Sequence, residues 1–202
     1  LDTPNDIGAH TAATSPLNDT PIPTPAEAKK GDYQKGRIDL GGIAVDVENP
    51  QGSQRSGTDR NGKAWSVSMN DHYGEIDAPA RSPDGGKVDA FVRPGTPPGW
   101  TGPAFVIDQH VVGKPDQYDE AKVMLGYADQ GQAEAAYRSN FTDGQAPMMA
   151  VTPTSHAELQ QRLQDPAAFM KPSAPVKMAE MGKGVKIRPT EADLKAKKKA
   201  KP

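Results

Sequence analysis

The carboxylates best suited to chemistry stand beside a glycine turn and a short apolar segment. Asp84 opens a turn with Gly85 and Gly86, and Asp89 begins the apolar residues that follow. Two carboxylates placed in this way can converge on one hard cation, because Mg²⁺ prefers oxygen ligands and usually keeps several waters. The spacing therefore indicates a candidate metal site at the start of a strand.

A second charged group lies further along the chain. Asp119, Glu120 and Lys122 place two acids and a base at the start of another apolar run, and Arg55 and Tyr73 lie upstream. Carboxylates can hold a metal, while Arg, Lys and Tyr can hold oxyanions. Together these residue types are suited to a site for a diphosphate.

Several short motifs together resemble one known family. With them the chain looks like the inorganic-pyrophosphatase-like domain of bacteriophage polyvalent proteins, and more distantly like the soluble Mg²⁺-dependent pyrophosphatases. The resemblance covers about residues 25 to 170. Its motifs are residues 25–36, Glu48-Asn49-Pro50, Arg55-Ser56-Gly57, Gly62-Lys63-Ala64-Trp65, His72-Tyr73-Gly74, Asp84 to Val92 and Tyr118 to Tyr127.

The resemblance implies a metal-binding role for several acids. It makes Asp84 and Asp89 metal ligands, with Glu120 or its neighbour Asp119 as a third acid and Glu48 as a further acid of the site. In this family cations flank the attacking and leaving oxygens of an in-line displacement. The implied cofactor is Mg²⁺, or alternatively Mn²⁺.

The resemblance also implies phosphate-binding and catalytic groups. Lys122 matches a phosphate-binding lysine, Arg55 a phosphate-contacting base and Tyr73 a tyrosine of the site. Lys63 is a nearby candidate for a second base. Asp89 and Tyr73 are the residues expected to be catalytic.

The chain departs from the family pattern at a few positions. Gly86 stands where relatives carry a second metal-binding Asp, Glu75 replaces an aromatic residue, and Phe141-Thr142 replaces a Tyr-Lys pair. A lost carboxylate weakens the hold on a cation directly. Two functions therefore stay open: a Mg²⁺-dependent hydrolase of pyrophosphate or a related diphosphate, and a catalytically degenerate domain that is a structural or interaction component of a phage virion or a delivered polyprotein.

The same residues have ordinary structural interpretations. Asp84 could be a simple turn residue, since Asp is common in turns. Arg55 and Lys63 could be solvated loop charges, and Tyr73 could pack with its hydroxyl at the surface. We expect Trp65 to belong to the core.

The fold pattern predicts an α+β domain that is mainly β. Asp129 caps one predicted helix, and Ser155 with Glu158 forms a capping box for a second. The resemblance implies a small five-stranded, oligonucleotide-fold-like barrel, with one or two C-terminal helices outside it and extended tails. The predicted strands are 37–40, 43–47, 65–69, 87–92, 104–111 and 122–127, and the predicted helices are 130–140 and 156–163.

Composition divides the chain into three zones. Residues 1–34 form a Pro-rich extended linker, 35–170 a pyrophosphatase-like domain and 171–202 a Lys-rich tail. The tail carries a net charge of +7 in a chain whose total is −2. With so few large apolar residues it is expected to be a solvated end that could make weak, salt-sensitive contact with nucleic acid.

Other classes of protein are excluded. The chain has no Cys, so disulfides and thiol chemistry are absent. No apolar run approaches the roughly 18 residues of a membrane span, and the start does not have the pattern of a signal peptide. The resemblance to a phage domain implies a phage virion or the host cytoplasm as the location, and virion proteins or self-association as partners. The start at Leu1 suggests a fragment or a processed product.

Overall fold

A computed structural model describes residues 2–58, 62–142 and 146–173 of the chain. Residues 174–202, most of the expected Lys-rich tail, lie outside the described residues. The helices are α1 (Pro4–Ala9), α2 (Pro25–Lys30), α3 (Gln130–Ser139) and α4 (His156–Leu163). The strands are β1 (Gly36–Leu40), β2 (Ile43–Asn49), β3 (Gln54–Thr58), β4 (Ala64–Ser68), β5 (His72–Ile76), β6 (Asp89–Val92), β7 (Ala104–Val111), β8 (Lys114–Leu125) and β9 (Met148–Thr154).

Seven strands form one mixed sheet in the order β1-β2-β5-β6-β8-β7-β9. Among the described strands no pairing joins β1 to β9, so the sheet is open. The expected five-stranded barrel is not confirmed, whereas the mainly β class with a few short helices is. These helices are six to ten residues long, and no helix in the described segments could cross a membrane.

The sheet consists of two antiparallel halves that meet at one parallel pair. Strands β1, β2, β5 and β6 make the first half, and β8, β7 and β9 make the second. The halves join where β6 runs parallel to β8, with Asp89 opposite Lys122 and Val92 opposite Leu125. We call this pair the seam. It brings Asp89, from the first charged group singled out in the sequence, next to Lys122, from the second.

The two faces of the sheet bury different side chains. One face is aliphatic and packs against α4 through Leu159 and Leu163, with Ala9 of α1 at its margin. The other face is more aromatic and packs against α3 and β4. Its buried members are Met69, Tyr73, Phe91, Phe105, Ile107, Met124, Tyr127, Ala133 and Tyr137. The predicted chemistry lies on this second face.

The N-terminal segment departs from the extended linker expected for it. Thr3 and Asp6 form a capping box that starts α1, with Pro4 in its first turn. The buried Asn5 side chain donates hydrogen bonds to the carbonyls of Asp39 (2.9 Å) and Thr96 (3.1 Å). Buried alanines and these hydrogen bonds stabilise the ordered segment. The boundary at residue 34 itself stays a prediction.

Both predicted helices are confirmed, and each begins at its expected cap, Asp129 or Ser155. The six predicted strands are confirmed. The ends of β7 are as predicted, at least one end of each of the other five is shifted, and β8 begins eight residues earlier than expected, at Lys114. Three strands were not predicted: β3, β5 and β9. Strand β5 matters most, because it carries Tyr73 into the second face.

Candidate active site

A row of charged residues crosses the sheet in register. Arg37 lies opposite Asp46, Asp46 opposite Glu75, Glu75 opposite Asp89, and Asp89 opposite Lys122. Cross-strand partners share one face of a sheet and lie close together. The backbone pairing alone therefore places Glu75, Asp89 and Lys122 side by side at the seam, in a row that continues through Asp46 to Arg37.

The centre of the row is a cluster of Tyr73, Asp89, Lys122 and Glu120. The Tyr73 hydroxyl donates to Oδ2 of Asp89 at 2.6 Å, and the Lys122 ammonium contacts the same oxygen. The ammonium also lies 2.8 Å from Oε1 of Glu120. The Lys122 side chain is only 7% exposed, against 17% for Asp89 and 28% for Glu120, so the acids face the solvent and the base lies beneath them.

Arg55 reaches this cluster from β3, which pairs with β4 in a separate two-stranded sheet. Its Nη2 donates to the Tyr73 hydroxyl at 3.1 Å, and its guanidinium carbon lies 4.3 Å from the centre of the Tyr73 ring. The Trp65 ring lies 5.4 Å from the same carbon. Tyr73 therefore connects Arg55 to Asp89.

The cations on this face differ in their partners. Lys122 pairs with Asp89 and Glu120, and Lys35 pairs with Glu48. Lys87 and Arg37 each pair with both Asp46 and Asp77. Within the described residues Arg55 has no carboxylate partner and is held by rings and a phenol.

The protonation states follow from burial and from the neighbouring charges. Burial raises the pKa of the Tyr73 phenol, so it stays a neutral donor. Burial alone would lower the pKa of Lys122, but Tyr73, Asp89 and Glu120 together raise it above its usual value. The cluster thus holds an ammonium at every pH where the protein would work.

The acids of the site repel one another. Burial is the first cause of the raised pKa of Glu75, and the charges of Glu48 and Asp89 add to it. Burial likewise raises the pKa of Glu120, with added repulsion from Asp89 and Asp119 and opposition from Lys122. Carboxyl groups whose pKa values are shifted by burial and by neighbouring charges cluster at functional sites.

Glu75 lies opposite Asp89, next to this cluster, and was not predicted as a site residue. It stands two residues after Tyr73, and side chains at this spacing share one face of a strand. That spacing was the available signal, but without β5 among the predicted strands it could not be used.

The structure brings Arg55, Tyr73, Asp89, Glu120 and Lys122 together. The other predicted ligands occupy separate surroundings, and their roles stay predictions. Asp84 is exposed in its turn, where Oδ1 accepts the backbone N–H of Gly86 at 2.9 Å. Glu48 is paired with Lys35, Asp119 is half-buried before Glu120, and Lys63 is exposed at the start of β4. No three His, Cys, Asp or Glu side chains of the described segments are grouped to hold a metal ion.

One family of known proteins matches most of the chain. A family model described as Inorganic Pyrophosphatase matches residues 25–164. The chain belongs to this family. The site residues Arg55, Tyr73, Asp89, Glu120 and Lys122 all lie within the matched range.

One similar solved structure is an inorganic pyrophosphatase from Neisseria gonorrhoeae. It is 15% identical, the similarity covers 61% of this chain and 88% of that one, and the TM-score is 0.38. No curated protein matches the chain significantly. The family membership of this pyrophosphatase-like domain therefore rests on the family model.

Proposed function

We propose that the domain binds pyrophosphate, or a related diphosphate, as its magnesium complex and hydrolyses it at the cluster around Asp89. The observation that carries the proposal is the connected set Arg55, Tyr73, Asp89 and Lys122. Two cations and a phenol that can bind phosphate oxygens lie beside a carboxylate that can accept a proton.

The charge balance favours a diphosphate that brings its own cation. Glu75 and Glu120 lie near Asp89, and Glu48 lies near Glu75. A diphosphate is itself strongly negative, and its magnesium complex is less negative, so these acids repel the complex less than the bare diphosphate. Mg²⁺ is commonly bound by one or two carboxylates together with substrate phosphates, and Asp89 and Glu120 provide two. Mn²⁺, which also prefers oxygen ligands, is the alternative metal.

Each residue then has a defined role. Arg55 and Lys122 hold phosphate oxygens and stabilise the charge of the transition state. Both hydrogen bonds to Asp89 fall on Oδ2, so Oδ1 is the oxygen proposed to accept a proton from the attacking water. The water oxygen bonds to phosphorus, the bridging P–O bond breaks, and the second phosphate leaves. Asp84, Asp119 and Glu48 are proposed as further acids and Lys63 as a second base.

The test is phosphate release from pyrophosphate with Mg²⁺ or Mn²⁺. Asp89→Asn is expected to lower the rate by about 10² to 10⁴, the usual contribution of general acid–base catalysis. Asp77→Asn is the matched control, because Asp77 is an ion-paired acid held by Arg37 and Lys87 outside the cluster. Equal rates for both variants and the parent would contradict the proposal.

A second variant tests the departure at Gly86. A Cβ at this position would lie 3.1 Å from Oδ1 of Asp84, so Gly86→Asp would place a second carboxylate beside the first. The expected result is a higher rate, or activity where the parent has none. If neither the parent nor the variant releases phosphate, hydrolysis is refuted.

One observation favours a second candidate function. The two acids nearest the seam, Asp89 and Glu120, are both paired with Lys122, and the described residues contain no grouped set of three metal ligands. A catalytically degenerate domain would then serve as a binding or structural component, in a phage virion or a polyprotein in the host cytoplasm. Calorimetric binding of a diphosphate with no phosphate release would favour this alternative.

A further inference from the structure

We propose that Trp65 is a positioning residue, which holds the Arg55 guanidinium over Tyr73 so that Arg55 can bind a phosphate. The inference rests on the proposed function, because it concerns the phosphate that Arg55 would contact. It assigns a role to a residue that the sequence placed in the core. In the structure Trp65 is half-buried and belongs to neither core cluster.

Arg55 needs to be positioned, because its strand lies outside the main sheet. Strand β3 pairs with β4 alone, so the seven-stranded sheet does not fix Arg55 through its backbone. Arg55 lies opposite Val67, and Trp65 lies opposite Gly57. Arg55 and Trp65 are thus diagonal neighbours on one face of the two-stranded sheet, where large side chains can touch.

Gly57 lets the indole approach the strand. A Cβ at Gly57 would stand 2.6 Å from Cζ2 of the Trp65 ring, so the ring packs directly against this backbone. The indole therefore occupies the space beside Arg55, 5.4 Å from the guanidinium carbon. Any side chain at position 57 would have to displace the ring.

The rings contact the cation without neutralising it. Tyr73 and Trp65 both lie within the range of a cation–π interaction with Arg55. Within the described segments Arg55 has no carboxylate partner, whereas Lys122 has two. A guanidinium held in this way keeps N–H groups for a planar, bidentate contact with a phosphate.

The experiment measures calorimetric binding of methylenediphosphonate, a diphosphate analogue with a non-hydrolysable bridge, in the presence of Mg²⁺. Trp65→Leu is expected to bind about tenfold more weakly, and Trp65→Phe, which keeps a ring, to stay within about threefold of the parent. If Trp65 acts through Arg55, Trp65→Leu has little further effect in an Arg55→Gln protein, since the two losses are not additive.

Fluorescence provides a second readout, because the chain has only two Trp residues. In a Trp100→Phe protein, Trp65 is the only indole, and the analogue is expected to change its emission. Equal binding by Trp65→Leu and the parent, or fully additive losses with Arg55→Gln, would overturn the inference. Failure of the parent itself to bind the analogue would refute the proposed function instead.

Discussion

Replacing Lys122 by Met tests how strongly the seam depends on its buried ammonium. Removing one partner of a buried ion pair typically costs 3–5 kcal/mol, because the other charge is left buried and unpaired. The side chains of Asp89 and Glu120 are 17% and 28% exposed. Because both are partly exposed, the expected cost lies at the low end of this range, about 3 kcal/mol at pH 7. The free energy of unfolding is measured with urea and Trp fluorescence.

Lys87→Met is the matched control. Lys87 also touches two carboxylates, Asp46 and Asp77, but it is 30% exposed and its partners 26% and 45%. Exposed pairs contribute about 0 to 1 kcal/mol, so this variant should lose far less stability. Equal losses for the two variants would refute the reasoning.

The pH dependence gives a second check on Lys122→Met. Without the ammonium, the already raised pKa of Glu120 rises further above its unfolded value. When the pKa of a carboxyl group is higher in the folded than in the unfolded protein, the group stabilises the fold at pH values below the unfolded pKa. This stabilisation is lost as the pH rises through the folded pKa. The cost of the substitution should therefore be largest at pH 7 and shrink near pH 4.5. A cost that is unchanged or larger at pH 4.5 would contradict this explanation.

Three further predictions concern parts of the chain away from the seam. Tyr127→Phe removes the hydroxyl that donates to Oδ1 of buried Asp71 at 2.5 Å. This substitution should lower the free energy of unfolding, measured in urea, by about 1–3 kcal/mol, and an unchanged value would contradict the prediction. Burial alone would raise the pKa of Asp6, but hydrogen bonds from Gly95, His72 and Thr3 lower it to about 2. The attachment of residues 2–15 should therefore persist above about pH 4 and be lost as the pH falls through about 2. Pepsin cleavage of the segment would reveal this loss, and cleavage that does not change with pH would refute the prediction. Finally, removal of residues 195–202 should abolish any nucleic-acid affinity, and unchanged binding by the truncated protein in a salt titration would contradict this.

The sequence predicted the strands whose side chains alternate or form an apolar run, such as β2 and β7. It missed β9, where Pro153 argues against a strand; the structure tolerates this proline because β9 is an edge strand that pairs only with β7. It missed β3 because Gln54-Arg55-Ser56-Gly57-Thr58 contains no apolar residue. Helix α1 had a readable signal in its capping box, but the surrounding prolines indicated a linker.

The residues of the candidate site could be proposed from the sequence because they lie in short motifs that resemble one family. Arg55, Tyr73, Asp89 and Lys122 were identified one by one, and the structure brings them together. The contacts between them could not be predicted, since they depend on the pairing of β6 with β8, which are separated by β7 along the chain. The position of Trp65 over Arg55 depends on the separate two-stranded sheet, which was not predicted.

The parallel seam also sets an order on folding. Each antiparallel half contains hairpins between strands that are close in the chain, such as β1 with β2 and β7 with β8, and such pairings form early because they close short loops. The seam pairs Asp89 with Lys122 across a much longer loop, so its closure should come late. A partly folded chain can therefore contain these hairpins and still have no site. Phosphate binding would report that the seam has formed.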